Sequence, residues 1–175
     1  MTSRFPRTTR ALTTALLLAA GLGAGLGAAP VLAGPASADQ GAAPVVRFAH
    51  PHSVHSRATA RRYLHGTGPA FRRFAAREGA AVRRADAGCQ GDSGVYVEAF
   101  TRGYAFGGVG ACGGYVALWT NRVRGGGTGG HWREVVGTQD SFYCPVLKRY
   151  DVPSALVGTT CWSPSRHETI AYHQA

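Results

Sequence analysis

The rhythm of apolar and polar positions changes several times along the chain. Ala11 to Ala29 carries no charge, and Leu16, Leu17 and Leu18 are its most apolar stretch. Residues 39–56 contain Pro44, Pro51 and several histidines with no clear period, which predicts a flexible linker. Residues 57–65 predict a short helix ending at Gly66. Residues 69–85 give a firmer helical pattern: Pro69 suits a first helical position, and Phe71, Phe74, Ala75, Ala81 and Val82 approximate one apolar face. Gly79 interrupts that pattern at a cost of about 1 kcal/mol. From Cys89 onward the composition turns to glycine, aromatic and β-branched residues. Strands are predicted over Val95–Thr101, Tyr104–Val109, Tyr115–Asn121 and Trp132–Thr138. The glycine-rich run from Gly125 to Gly130 reads as an exposed hairpin tip, not a phosphate loop, because no Lys-Ser or Lys-Thr follows it. Pro145 and Pro153 each suit the start of a helical turn, and residues 163–175 read as a loose tail.

A helix followed by closely spaced strands predicts an α+β domain. The expectation is a small antiparallel sheet of three to four strands with one packed amphipathic helix and two disulfides. Its layout is a signal peptide over 1–38, a His/Arg-rich linker over 39–66, the folded domain over 67–162 and a C-terminal tail over 163–175.

The N-terminus has the three parts of an export signal in order. Arg4, Arg7 and Arg10 make a positive region, the uncharged stretch follows, and Ala36-Ser37-Ala38 offers small residues at a cleavage site. The stretch is rich in Gly and Ala, which makes it a poor permanent span. Leu32-Ala33-Gly34 is followed by Pro35 where a lipoprotein would carry Cys. The absence of paired arginines before the apolar run favours the general secretion route. The expectation is therefore a secreted chain beginning at Asp39, with no stable membrane span after cleavage.

Export changes the reading of the four cysteines, Cys89, Cys112, Cys144 and Cys161. An even count in an exported chain predicts a disulfide framework. Three pairings are possible. The sequential one, Cys89–Cys112 with Cys144–Cys161, closes the shortest loops, and each bond stabilises by roughly 3 kcal/mol on the loop-entropy model. Neither pair has zinc-knuckle spacing, so no metal is expected there.

The formal charge of +10 falls to +7 without the three signal arginines, and it is uneven. Residues 39–88 hold nine Arg against Asp39, Glu78 and Asp86, while residues 89–175 are nearly balanced. Arg57, Arg61, Arg62, Arg72, Arg73, Arg77, Arg83 and Arg84 form the candidate ligand-binding set, directed at anionic cell-envelope polymers or another extracellular protein. A compositional origin stays open beside this: Lys148 is the sole lysine among 19 basic residues, as a GC-rich genome would give without selection for binding. The basic helix is expected to pack its apolar stripe on a sheet in preference to a membrane surface.

Cys89-Gln90-Gly91-Asp92-Ser93-Gly94 resembles the nucleophile segment of trypsin-like serine proteases. Val95 and Tyr96 replace the glycine and proline that should follow, and the residues upstream leave no room for a two-barrel fold with its His and Asp. The run is also ordinary turn chemistry before a strand. His50, His52, His55 and His65 lie close together but in a linker, with no carboxylate among them, so no metal or other cofactor is expected. Asp92 with Glu98 and Glu134 with Asp140 are the candidate acid pairs. Trp119, Trp132, Tyr115 and Tyr143 suit core and cross-strand packing better than a sugar or nucleobase platform.

The strand ending in Trp119, the Gly-rich tip, Trp132 opening the next strand, and then Cys144, Leu147, Tyr150, Val152-Pro153 and Cys161 resemble small exported disulfide-bonded domains of actinobacteria, mostly uncharacterised. The resemblance covers about Tyr115 to Trp162. It implies an exported compact domain and brings no catalytic residues with it. The expected function is a non-catalytic extracellular binding module. The alternative is a small extracellular hydrolase whose site, built on Ser93 or a histidine, assembles only in the fold.

Overall fold

The computed structural model describes residues 44–88, 91–110, 112–123 and 128–175. The signal-peptide expectation over 1–38 lies outside the described residues, as do Cys89 and residues 124–127 of the glycine-rich tip. In chain order the elements are β1 (Val46–Arg47), α1 (Arg57–Tyr63), α2 (Pro69–Ala85), β2 (Gly94–Phe100), β3 (Tyr104–Gly110), β4 (Tyr115–Arg122), β5 (Thr128–Thr138), α3 (Cys144–Arg149), α4 (Ser154–Val157), β6 (Thr160–Ser163) and β7 (Glu168–Ala171). Strands β1 to β5 form one antiparallel sheet in sequence order, and β6 pairs with β7 in a separate hairpin.

Both faces of the larger sheet are covered. On one face α1 and α2 bury Leu64, Phe71, Phe74 and Ala75 against Val95, Val97, Ala105, Ala117 and Trp119. On the other, α3, α4 and the hairpin bury Leu147, Val152, Leu156, Cys161 and Tyr172 against Ala99, Tyr104 and Leu118. Strand alternation alone would send Phe100 to the second face. A bulge at Glu98, where Val97 faces Gly107 and Ala99 faces Phe106, resets the parity and returns Phe100 to the helix side. There its ring meets Phe71 at 5.0 Å and Trp132 at 5.8 Å. Each such aromatic pair adds roughly 1 kcal/mol beyond its buried area.

The fold expectation is corrected on three points. First, the sheet has five strands where three or four were expected, and a second two-stranded sheet accompanies it. The fifth strand comes from the segment read as a linker: Val46 and Arg47 pair with Phe100 and Ala99, and Val54 exchanges both backbone bonds with Val95. Backbone pairing needs no side-chain period, so the segment carries no visible pattern. Second, two helices, α1 and α2, pack on one face of the sheet where a single packed helix was expected, and α3 and α4 form where helical turns were expected at Pro145 and Pro153. Third, one disulfide, Cys144–Cys161, is complete among the described residues where two were expected. Cys112 is also a half-cystine, and its expected partner Cys89 falls outside the described residues.

The C-terminal residues differ from the loose tail expected over 163–175. Strand β7 pairs with β6, and Tyr172 is fully buried, its hydroxyl donating to the Val152 carbonyl at 2.5 Å. The chain end is tied down further by Ser154, whose backbone N–H donates to the Gln174 carbonyl at 2.9 Å.

Candidate functional site

The eight arginines of the candidate set all lie on α1 and α2. Helix α1 opens with a capping box: Ser56 accepts from the Thr59 amide, and Thr59 accepts from the Ser56 amide. Its last turn carries Arg61 and Arg62, favourably placed at the negative end of the helix dipole. Leu64 and Thr67 are buried just beyond it, and the Thr67 hydroxyl donates to the Leu64 carbonyl at 2.8 Å. Gly66 takes φ +84°, the left-handed conformation glycine adopts most cheaply. The chain thus reverses, and α2, starting at Pro69, packs beside α1.

Two adjoining grooves follow this helix pair. The first, of about 310 Å³, is lined by Arg57, Arg61, Arg72 and Arg73. The second, of about 510 Å³, is lined by Arg57, Arg73, Arg77 and Arg84, with His55 at its wall. Arg57 and Arg73 belong to both. Six of the eight expected arginines are therefore gathered into one strip. Arg62 and Arg83 line neither groove; Arg62 instead lies over the Tyr63 ring at 5.3 Å. Among the described residues no ion pair joins a carboxylate to any of these six arginines. His55 belonged to the histidine group but not to the expected binding set; its position two residues before Arg57 was the available signal.

The structure disperses the other candidates. Ser93 lies just before β2, mostly buried, and no histidine bonds to its hydroxyl among the described residues; its carbonyl accepts from the Ser53 hydroxyl at 3.1 Å. His52 stacks on Tyr63 at 4.3 Å and His65 meets Phe48 edge-on at 6.3 Å. No metal-binding cluster is found among the described residues. Trp119 and Trp132 are core residues, whereas Tyr143 is 46% exposed.

Glu134 finds a partner other than Asp140. Its carboxylate accepts from the Tyr115 hydroxyl at 3.1 Å. Partial desolvation pushes the Glu134 carboxyl above its usual range, with the charge of Glu78 adding to the rise and hydrogen bonds from Tyr115 and Trp119 opposing it. The Tyr115 phenol is pushed up to about 12 by desolvation and by Glu134. A carboxyl whose folded pKa exceeds its unfolded one favours folding at low pH, and that advantage is lost as pH rises through the folded value. Glu134→Gln is therefore expected to raise the melting temperature slightly at pH 7, with the gain vanishing below about pH 4. Because the side chain is water-accessible, the gain stays under about 0.5 kcal/mol. Paired thermal melts at the two pH values check this, and a lower melting temperature for the variant at pH 7 would contradict it.

No family model, curated protein or solved structure matches the chain. The site is therefore read from its own chemistry.

Proposed function

We propose that the chain is an exported, non-catalytic binding module for an anionic polymer of the cell envelope, held along the α1–α2 strip. The observation that carries this is the convergence of six arginines on two adjoining grooves with no carboxylate partner among the described residues. Guanidinium groups crowded within a Debye length repel one another, and an anion laid between them relieves that repulsion while accepting charge-assisted bonds. The strip suits a polymer better than a lone anion. From Arg72 to Arg84 the helix rises roughly 18 Å, enough to meet several charged repeats. Among the residues lining the grooves, the one hydroxyl, that of Ser56, is engaged in capping α1.

Export accords with the Cys144–Cys161 bond, since disulfides persist in oxidising compartments. Among the described residues no helix is long and apolar enough to cross a membrane.

Retention of the purified chain on immobilised teichoic acid and on heparin tests the reading. Neutralising about six charges releases their counterions, so affinity is expected to fall on the order of a thousandfold between 50 and 200 mM salt. Retention indifferent to salt would contradict it.

A further inference from the structure

A third groove lies on the opposite face of the sheet, beside the disulfide. It measures about 300 Å³ and is lined by Asp140, Ser141, Tyr143, Trp162 and Thr169. That volume is at the lower end of small-ligand sites, roughly 300–1,000 Å³. Its two aromatic residues adjoin the two half-cystines in sequence: Tyr143 precedes Cys144 and Trp162 follows Cys161. The disulfide holds those cysteines with their Cα atoms 5.1 Å apart, both buried. The Trp162 amide donates to the Phe142 carbonyl at 2.8 Å, and Tyr143 and Trp162 form a parallel bridge. The backbones bearing both rings are thus fixed by covalent and hydrogen bonds.

Tyr143 stands apart from the other tyrosines. Tyr96, Tyr104, Tyr115 and Tyr172 each donate a hydroxyl bond, and Tyr63 and Tyr150 each carry a stacked or cationic neighbour. The Tyr143 side chain has no such partner among the described residues and is 46% exposed. The side chains of Asp140, Ser141 and Thr169 likewise make no hydrogen bond or ion pair among the described residues. Two rings and three exposed polar side chains with no protein partner among the described residues therefore line one opening.

We infer that this groove is a saccharide subsite, taking one neutral pyranose ring of an oligosaccharide. The axial C–H groups of a pyranose form an apolar, slightly positive patch that lies well on the negative face of an aromatic ring. Its hydroxyls need acceptors and donors once desolvated, and a carboxylate with two hydroxyls supplies both. No cation lines the groove, and Asp140 repels phosphate or sulfate, which separates this chemistry from that of the arginine strip and disfavours a nucleotide.

Titration of the purified chain with cellotetraose and with the corresponding tetramer of N-acetylglucosamine, followed by tryptophan fluorescence, tests the inference. Trp119 and Trp132 are buried in the opposite core, so a change reports Trp162. At least one oligosaccharide is expected to give a saturable change. Tyr143→Ala and Asp140→Asn should each weaken it about tenfold without lowering the melting temperature. Adenosine monophosphate should give none. The absence of a saturable change with either sugar, a change that survives both substitutions, or saturation by the nucleotide instead would each overturn the subsite.

Discussion

Gly79→Ala is expected to destabilise the domain by about 3 kcal/mol, the reverse of the effect such a change has in an exposed helix. Ordinarily the substitution gains about 1 kcal/mol from helix propensity. Here a Cβ at position 79 would lie 1.7 Å from the Val54 carbonyl oxygen and 2.8 Å from its carbon. Val54 cannot yield, because its N–H and C=O are both bonded to Val95, at 2.8 and 3.1 Å. The helix must retreat instead, loosening Phe71, Phe74 and Ala75, which are all buried on the same sheet face. Gly68→Ser is the matched control. A Cβ at Gly68 meets nothing within 4 Å, and the position is an N-cap with no side-chain bond. Serine there should add a few tenths of a kcal/mol. Denaturant melts of the two variants decide the matter, and a Gly79→Ala midpoint equal to or above that of the parent chain would refute the close crossing.

Loss of the Cys144–Cys161 bond is expected to cost a further amount of the same size. The bond closes a separation of 17 residues that contains α3 and α4. On the loop-entropy model its removal frees about 3 kcal/mol of unfolded-state entropy. Both cysteines sit in the second core, 3% and 0% exposed, so Cys144→Ala/Cys161→Ala also leaves a small void. For a domain of this size the melting temperature should drop by roughly 10–15 °C. The β6–β7 hairpin and Tyr172 should lose amide-exchange protection before the five-stranded sheet does. A melting temperature unchanged after verified loss of the bond would show that the second core holds without it.

Much of the central architecture was legible because it rests on side-chain periodicity. The helix over 69–85 announced itself through Pro69 and the Phe71/Phe74 stripe, and β2 to β4 through their aromatic and β-branched runs. What escaped rests on other physics. Residues 46–54 are held by backbone pairing to β2, which proline and histidine composition conceals. The C-terminal hairpin depends on Tyr172 reaching the Val152 carbonyl, a contact across 20 residues that no local pattern encodes. Gly79 was visible as a weakness of the helix, but its purpose needed the strand beneath it. At the candidate site, composition supplied the eight arginines. Only the side-by-side packing of α1 and α2 divides them into six that share a strip and two, Arg62 and Arg83, that do not.

That division allows the sharpest test of a binding strip, because the compared variants carry the same net charge. Arg57 and Arg73 border both grooves, whereas Arg62 and Arg83 border neither. The decisive measurement is the salt concentration that elutes each chain from immobilised teichoic acid, together with the slope of log affinity against log salt. Arg57→Gln/Arg73→Gln should lower affinity by about a hundredfold at low salt and reduce the slope by about two. Arg62→Gln/Arg83→Gln should change affinity far less. Equal losses for the two pairs would show that diffuse positive charge, and not the α1–α2 strip, holds the polymer.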